Sequence, residues 1–451
     1  MKRNLYLGLL MAIMMPNLMA QNDSVSNIRT GWTFGALPSV SYDADMGFQY
    51  GALANIYYFG DGKTYPEYLH SFYVEASQTT MRYGLLRFYY DSKHLIPNRH
   101  VSLDISYMPD PMSPFFGFNG YQSTIHPNWI DNESNLYRTR AFYAIKRNLF
   151  RVAADLQGPI AGNFSWDLGA GLLDYEIGTF DVDKYNSRKN DPEKHLPDTA
   201  TLYDWYVANH LIAANEVTGG VHPYLHGGVT YDSRNRQQNP QHGIYADAFV
   251  TYSAAFGDQS NFNNLRLNAA WRQYLSLDKG SHFIFAYRLG AQILLAGESP
   301  FYANNYMNQL YWQRCIYEGL GGASSLRGVL RNRILADGFA YGNAELRIQL
   351  YRFKIGKENF YLGLNPFIDA GMVLQAHRDL AEESALTSSQ LGESISTQLE
   401  EDLYRLHLGA GCGLKICMND NFVVSVDWGT PFEEQDNYKA SNIYIKIGYM
   451  F

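Results

Sequence analysis

Ser441-Asn442-Ile443-Tyr444-Ile445-Lys446-Ile447-Gly448-Tyr449-Met450-Phe451 ends the chain, and its alternation decides the fold. On an extended backbone successive side chains point to opposite faces. Ile443, Ile445, Ile447, Tyr449 and Phe451 then share one face, and Asn442, Tyr444, Lys446 and Gly448 share the other. Upstream, Phe422, Val424, Val426 and Trp428 form a second apolar row against Ser425 and Asp427. A third row runs Tyr404, Leu406, Leu408, Ala410, Cys412, Leu414 and Ile416, against Arg405, His407, Gly409, Gly411, Gly413 and Lys415. A half-buried soluble sheet also alternates. Repetition over most of the chain, with glycine and ionisable groups on the polar face, instead fits lipid outside and a polar lumen inside.

The same template finds sixteen strands: near 32–42, 46–58, 68–79, 80–92, 99–108, 136–157, 162–177, 219–231, 243–255, 262–275, 282–295, 341–352, 359–374, 403–417, 421–430 and 441–451. Keeping 136–157 whole preserves an even count. All the long connections (109–135, 178–218, 296–340 and 375–402) then fall on one side, and short turns on the other. Short periplasmic turns and long external loops are the rule for outer-membrane barrels. The expected fold is all-β: a sixteen-stranded antiparallel transmembrane β-barrel whose long external loop 296–340 folds into the lumen. Both termini fall on the periplasmic side.

Composition agrees. The chain has 36 Tyr, 25 Phe and 39 Gly, residues that large β-systems use in quantity. No apolar run after the N-terminus reaches the ~18 residues of a helical span. At the start, Met1-Lys2-Arg3-Asn4 precedes an apolar run from Leu5 to Met15, with Ala20 before Gln21. That pattern predicts a secretory signal over 1–20; the alternative, a membrane anchor, would need a longer apolar run. A short periplasmic segment, 21–30, would follow, then the barrel domain, 31–451. Ten residues leave no room for a folded periplasmic domain. Losing the two cations Lys2 and Arg3 takes the formal charge from −8 to −10, which carries no nucleic-acid footprint. Cys315, Cys412 and Cys417 form no metal spacing and read as packing residues.

One constellation stands out. Gly321-Gly322-Ala323-Ser324-Ser325-Leu326-Arg327-Gly328 lies in the long loop. Periodicity turns Glu345, on strand 341–352, and Asp369, on strand 359–374, into the lumen. An Arg fork suits two carboxylates at once, so Arg327 is a candidate for locking the loop inward. The plainer reading is a solvated Arg327 above a water channel lined by acids.

These residues resemble the BamA/TamA surface-antigen superfamily of outer-membrane insertase and translocase barrels. Leu326-Arg327-Gly328 is similar to its sixth-loop motif, and Gly342-Asn343-Ala344-Glu345-Leu346-Arg347 and Phe367-Ile368-Asp369-Ala370-Gly371 to the two strands that follow. Asp232-Ser233-Arg234, with Pro240 and Gly243, resembles a further family turn. The resemblance implies that Arg327 folds inward and that Glu345 and Asp369 receive it. It also implies that terminal Tyr449 and Phe451 act as the C-terminal insertion signal. Val329 stands where the family usually has an aromatic, so the loop tip is expected to be anchored more weakly. This member is expected to lack the periplasmic POTRA repeats. The implied function is outer-membrane protein assembly, insertion or translocation, as a subunit of a larger complex with lipid and assembly or periplasmic proteins as partners. The rivals are a diffusion channel or transporter, and a structural scaffold.

Gly35 and Pro38 sit in the first strand, which a closed barrel pairs with the last. Pro belongs on strand edges, so Gly35, Pro38 and Gly448 mark an expected weak seam, suited to the lateral opening that the resemblance implies; the plainer reading is a register irregularity. No Gly-x-Ser-x-Gly, His-Glu-x-x-His or phosphate loop is present, so no catalytic residue, cofactor or metal ligand is expected. His222 and His226 share a strand face about 13 Å apart, a spacing that reads as lumen or rim residues rather than metal ligands.

Overall fold

Period-two alternation becomes sixteen long antiparallel strands in a computed structural model, which describes residues 28–303, 319–378, 403–420 and 422–451. The expected signal segment and Cys315 lie outside the described residues. The strands are β1 (Trp32–Asp43), β2 (Gly47–Tyr58), β3 (His70–Thr79), β4 (Gly84–Ile96), β5 (Arg99–Met108), β6 (Ala144–Ala161), β7 (Phe164–Thr179) and β8 (Gly219–Asp232). They continue as β9 (Gly243–Ser253), β10 (Asn264–Ser276), β11 (Phe283–Gly297), β12 (Gly338–Ile355), β13 (Glu358–Gln375), β14 (His407–Met418), β15 (Phe422–Pro431) and β16 (Asn442–Ile447). A two-residue strand, Ser113–Pro114, pairs with the start of β6.

Each strand pairs with its neighbour in sequence, and β16 returns to β1, closing a transmembrane barrel. The outward rows, among them Leu168, Leu225, Leu289, Ile368, Leu414 and Trp428, remain exposed. A wall of exposed Leu, Ile and Trp is stable against hydrocarbon rather than water. Inward rows carry the buried polar groups, among them Asp104, Arg151, Asp167, Arg266, Arg288 and Lys415.

Connections sort as the alternation requires. Residues 109–143, 180–218, 298–337 and 376–406 link strands on one side; 97–98, 162–163 and 356–357 are tight turns on the other. The long loops pack on one another over the barrel mouth. Phe115, Phe118, Tyr206, Phe301 and Tyr302 form one apolar cluster there, with ring centroids 5.2–6.0 Å apart between Phe115, Phe118, Tyr206 and Phe301.

Three expectations are corrected. β6 starts at Ala144, not 136, because residues 136–143 belong to the loop and bury Phe142 and Tyr143 among Trp129 and Phe116. β14 starts at His407, not 403. The terminal strand ends at Ile447, not Phe451. Gly448 adopts φ +92, which only glycine takes without strain. The chain there leaves the wall, and Tyr449 and Phe451 turn into the lumen instead of facing lipid. The Tyr449 hydroxyl meets that of Tyr361 at 3.2 Å, and Arg347 donates to the Phe451 carbonyl at 2.8 Å. Both aromatics are buried.

Candidate functional site

The loop between β11 and β12 enters the barrel as a tight turn that glycine makes feasible. Gly321 and Gly322 take positive φ, and the Ser325 hydroxyl bonds both the amide and the carbonyl of Gly321. Gly328 has φ +95, and its own backbone lies so close to Thr430 that an added Cβ would sit 2.7 Å from that residue's backbone. The wall yields as well: a Cβ on Gly409 would meet the Arg327 carbonyl at 2.1 Å. The inward glycines of β14 and β15 therefore make room for the loop.

Arg327 is fully buried, as are Glu345 and Asp369. Asp369 accepts three bonds from Arg327: from the backbone amide and Nε at 2.9 Å on Oδ2, and from Nη2 at 3.0 Å on Oδ1. Nη1 lies 2.8 Å from Glu345 Oε1, a charge contact without hydrogen-bond alignment. The Phe367 ring covers the guanidinium, its centroid 3.4 Å from Cζ. Burial opposes the charge on Arg327, but Asp369 and Glu345 together outweigh it and hold its pKa above the ordinary guanidinium value.

A third acid completes the cluster. Asp427 Oδ2 lies 3.9 Å from Arg327 Nη1, and its other oxygen accepts from Lys415. Arg347 Nε donates to Glu345 at 3.2 Å. Cations and acids thus alternate across β12, β13, β14 and β15, so each buried charge meets its opposite. Further groups hold the loop by its backbone: Arg288 to Ser324 at 3.0 Å, Lys446 to Ala323 at 3.1 Å, Asn343 to Ser325 at 2.7 Å and Asn437 to Gly328 at 2.8 Å. The Gly328 amide donates to Tyr444 Oη at 3.1 Å.

Two more loop arginines point elsewhere. Arg331 pairs with Asp110 at 2.9 Å. Arg333 donates to the Gly120 and Gln435 carbonyls at 2.7 and 2.8 Å, and burial pulls its pKa down despite Asp436. The loop therefore ties the wall to the long loop 109–143 and to the connection 432–441. Val329, expected to anchor weakly, is fully buried beside Leu326 and Phe339. Arg327, Glu345 and Asp369, expected from the sequence to meet, lie together here, with Gly328 beside them. Asp427, Arg331 and Arg333 were not among the expected residues, although Asp427 is visible as an inward acid on 421–430.

The seam residues are more scattered. Gly35 and Pro38 face Asn55 and Ala52 of β2 across a regular register. Among the described residues, Tyr42↔Ile445 and Asp43↔Tyr444 are the ladder pairs that join β1 to β16. Gly448 ends that pairing by turning the chain inward. His222 bonds Tyr302 Oη at 3.0 Å, away from His226.

A closed antiparallel barrel with a long loop clamped inward by Arg on wall acids defines an outer-membrane barrel class. Residues 83–451 match the Omp85 superfamily domain, and the chain belongs to that superfamily. Its fold is similar to BamA from Haemophilus ducreyi lacking POTRA domains 1–3, at TM-score 0.54 and 16% identity over 93% of this chain and 70% of that one. It is also similar to CdiB from Escherichia coli, at TM-score 0.52 and 12% identity, covering 95% of this chain but 63% of CdiB. No curated protein matches the chain.

Replacing Gly328 with Ala should strain the loop at its closest approach to the wall. The positive φ alone costs about 1–3 kcal/mol. A lowered urea midpoint of the detergent-solubilised barrel is expected; an unchanged midpoint would show that the close approach is dispensable.

Proposed function

We propose that the protein handles other polypeptides at its seam, assembling or translocating outer-membrane proteins as part of a larger complex. One observation carries this reading: two residue pairs join β1 to β16, whereas β1 pairs with β2 along twelve. Among the described residues, no strand lies beside Trp32–Ser41 on the β16 side. Unpaired strand edges are templates for an added strand, and unsatisfied backbone groups in hydrocarbon cost several kcal/mol each. Leu37, on the inward row, is nonetheless 48% exposed, as an edge without a neighbour allows. The buried Arg327 cluster supports the same reading, because a lumen filled by its own loop is a poor diffusion pore.

This reading places the barrel in the outer membrane, with the long loops external and lipid around the apolar belt. Partner proteins would present clients to the seam. Photo-crosslinking from benzoylphenylalanine at Leu37 and Val40 tests it in native membranes. Adducts with outer-membrane or secreted polypeptides are expected at these sites and not at Leu225, on the opposite wall. Large single-channel conductance without edge-specific adducts would favour the channel. Co-purification with assembly subunits, again without client adducts, would favour the scaffold.

A further inference from the structure

Asp155, Asp167 and His226 converge inside the wall opposite the seam. They come from three neighbouring strands, β6, β7 and β8. The register sets Asp155 opposite Gly169, and Gly169 opposite His226, in one inward row. Glycine in the middle leaves the space above it free, so the outer two side chains reach toward each other across it. Asp167, two residues before Gly169 on the same face, closes the group from one side.

His226 Nε2 lies 3.0 Å from Asp155 Oδ1 and 3.1 Å from Asp167 Oδ1. One ligand atom from each residue falls within 4.8 Å of the others. A Cβ built on Gly169 would land 2.3 Å from Asp155 Oδ1 and 2.5 Å from His226 Nε2, so the glycine keeps open the spot where the donors meet. Independently, Asp167 is fully buried and its Oδ2 has no hydrogen-bond partner. Tyr224 stacks on the imidazole at 14° and Phe249 meets it edge-on at 86°, fixing the ring plane. Ser102 Oγ approaches the other oxygen of Asp155, at 3.5 Å.

We infer that these three residues bind a divalent transition-metal ion of the zinc class. The charge balance favours it. One imidazolium balances one of two carboxylates, whereas a divalent ion neutralises both and leaves the imidazole neutral. One Nε2 proton must also serve two oxygens, while a metal accepts all three donors. Tetrahedral zinc at about 2.0–2.2 Å from N and O ligands separates them by about 3.3 Å, close to the 3.0 and 3.1 Å found here. Two carboxylate oxygens and one imidazole leave a fourth position for water. An imidazole with oxygen donors suits zinc and its first-row neighbours better than magnesium or calcium. The ion would staple three wall strands on the side away from the seam.

The test uses the untagged full-length barrel in detergent, stripped with chelator and titrated with zinc chloride. Wild type is expected to take up one zinc per chain by mass spectrometric metal analysis and calorimetry. His226→Gln and Asp167→Asn should each weaken binding by more than the ~10–100-fold that loss of a mere supporting group costs. Heat-modifiability of the variants establishes that they remain folded. Cobalt substitution of the wild type gives a reading independent of any variant: visible d–d absorption displaced by one equivalent of zinc. No stoichiometric zinc on the wild type, or equal binding by folded variants, would overturn the site and leave an imidazolium bridging two acids.

Discussion

Arg327→Ala should release the loop from the lumen. Removing the guanidinium strands Glu345 and Asp369 without their cation in a place closed to solvent. Breaking a buried ion pair from one side costs about 3–5 kcal/mol, because the remaining charges lose compensation. Asp369 also loses the two side-chain bonds from Nε and Nη2 and keeps only the backbone amide. The Phe367 ring loses the cation that lies against its face. Loss does not stop at the acids, since the loop carries Arg331 and Arg333 into contacts with two other loops. The expected results are protease cleavage within 319–337 and a lower temperature for the heat-modifiability shift. Arg327→Lys should rescue little, because one ammonium cannot span Asp369 in a fork and reach Glu345 as well. If cleavage and heat-modifiability both match wild type, the loop is held by its apolar packing, Leu326 and Val329 included, and the arginine is incidental.

Period-two alternation explains why so much of this was legible. A strand has two faces, so an acid at Glu345 or Asp369 is either lumenal or lipid-facing, and lipid excludes the second. Alternation says nothing about height along the axis. It turns Asp427 inward, yet the nearness of Asp427 to Arg327 depends on the stagger between β13, β14 and β15, which no single strand encodes. The same gap hid Asp155, Asp167 and His226. Their meeting depends on the register that puts Gly169 between β6 and β8. Gly448 misled for a different reason: in an alternating run it looks like one more inward position. Its positive φ turns the chain off the wall, and alternation carries no signal for that. The loop arginines Arg331 and Arg333 were invisible because loops have no period to read.

A disulfide across the seam should abolish function while leaving the barrel folded. Tyr42 and Ile445 face each other in register and share the outer face, so Tyr42→Cys with Ile445→Cys sets the two sulfurs on the same side. Directly opposed strand residues have Cα separations within disulfide range. The background should replace Cys315, Cys412 and Cys417 with alanine to prevent mispairing. Two residue pairs join the strands at this seam; opening it exposes few backbone groups, each costing several kcal/mol in hydrocarbon if left unpaired, and a client strand that offers more pairs offsets that cost. A covalent bond at Tyr42 and Ile445 removes that option without touching the Arg327 cluster. The oxidised protein should therefore keep its heat-modifiability, lose client adducts at Leu37 and Val40, and regain them on reduction. Client adducts at wild-type yield in the oxidised form would mean that the exposed edge of Trp32–Ser41 serves clients without seam opening. Loss of adducts that reduction does not reverse would point instead to damage from the substitutions, which the reduced double-cysteine barrel distinguishes directly.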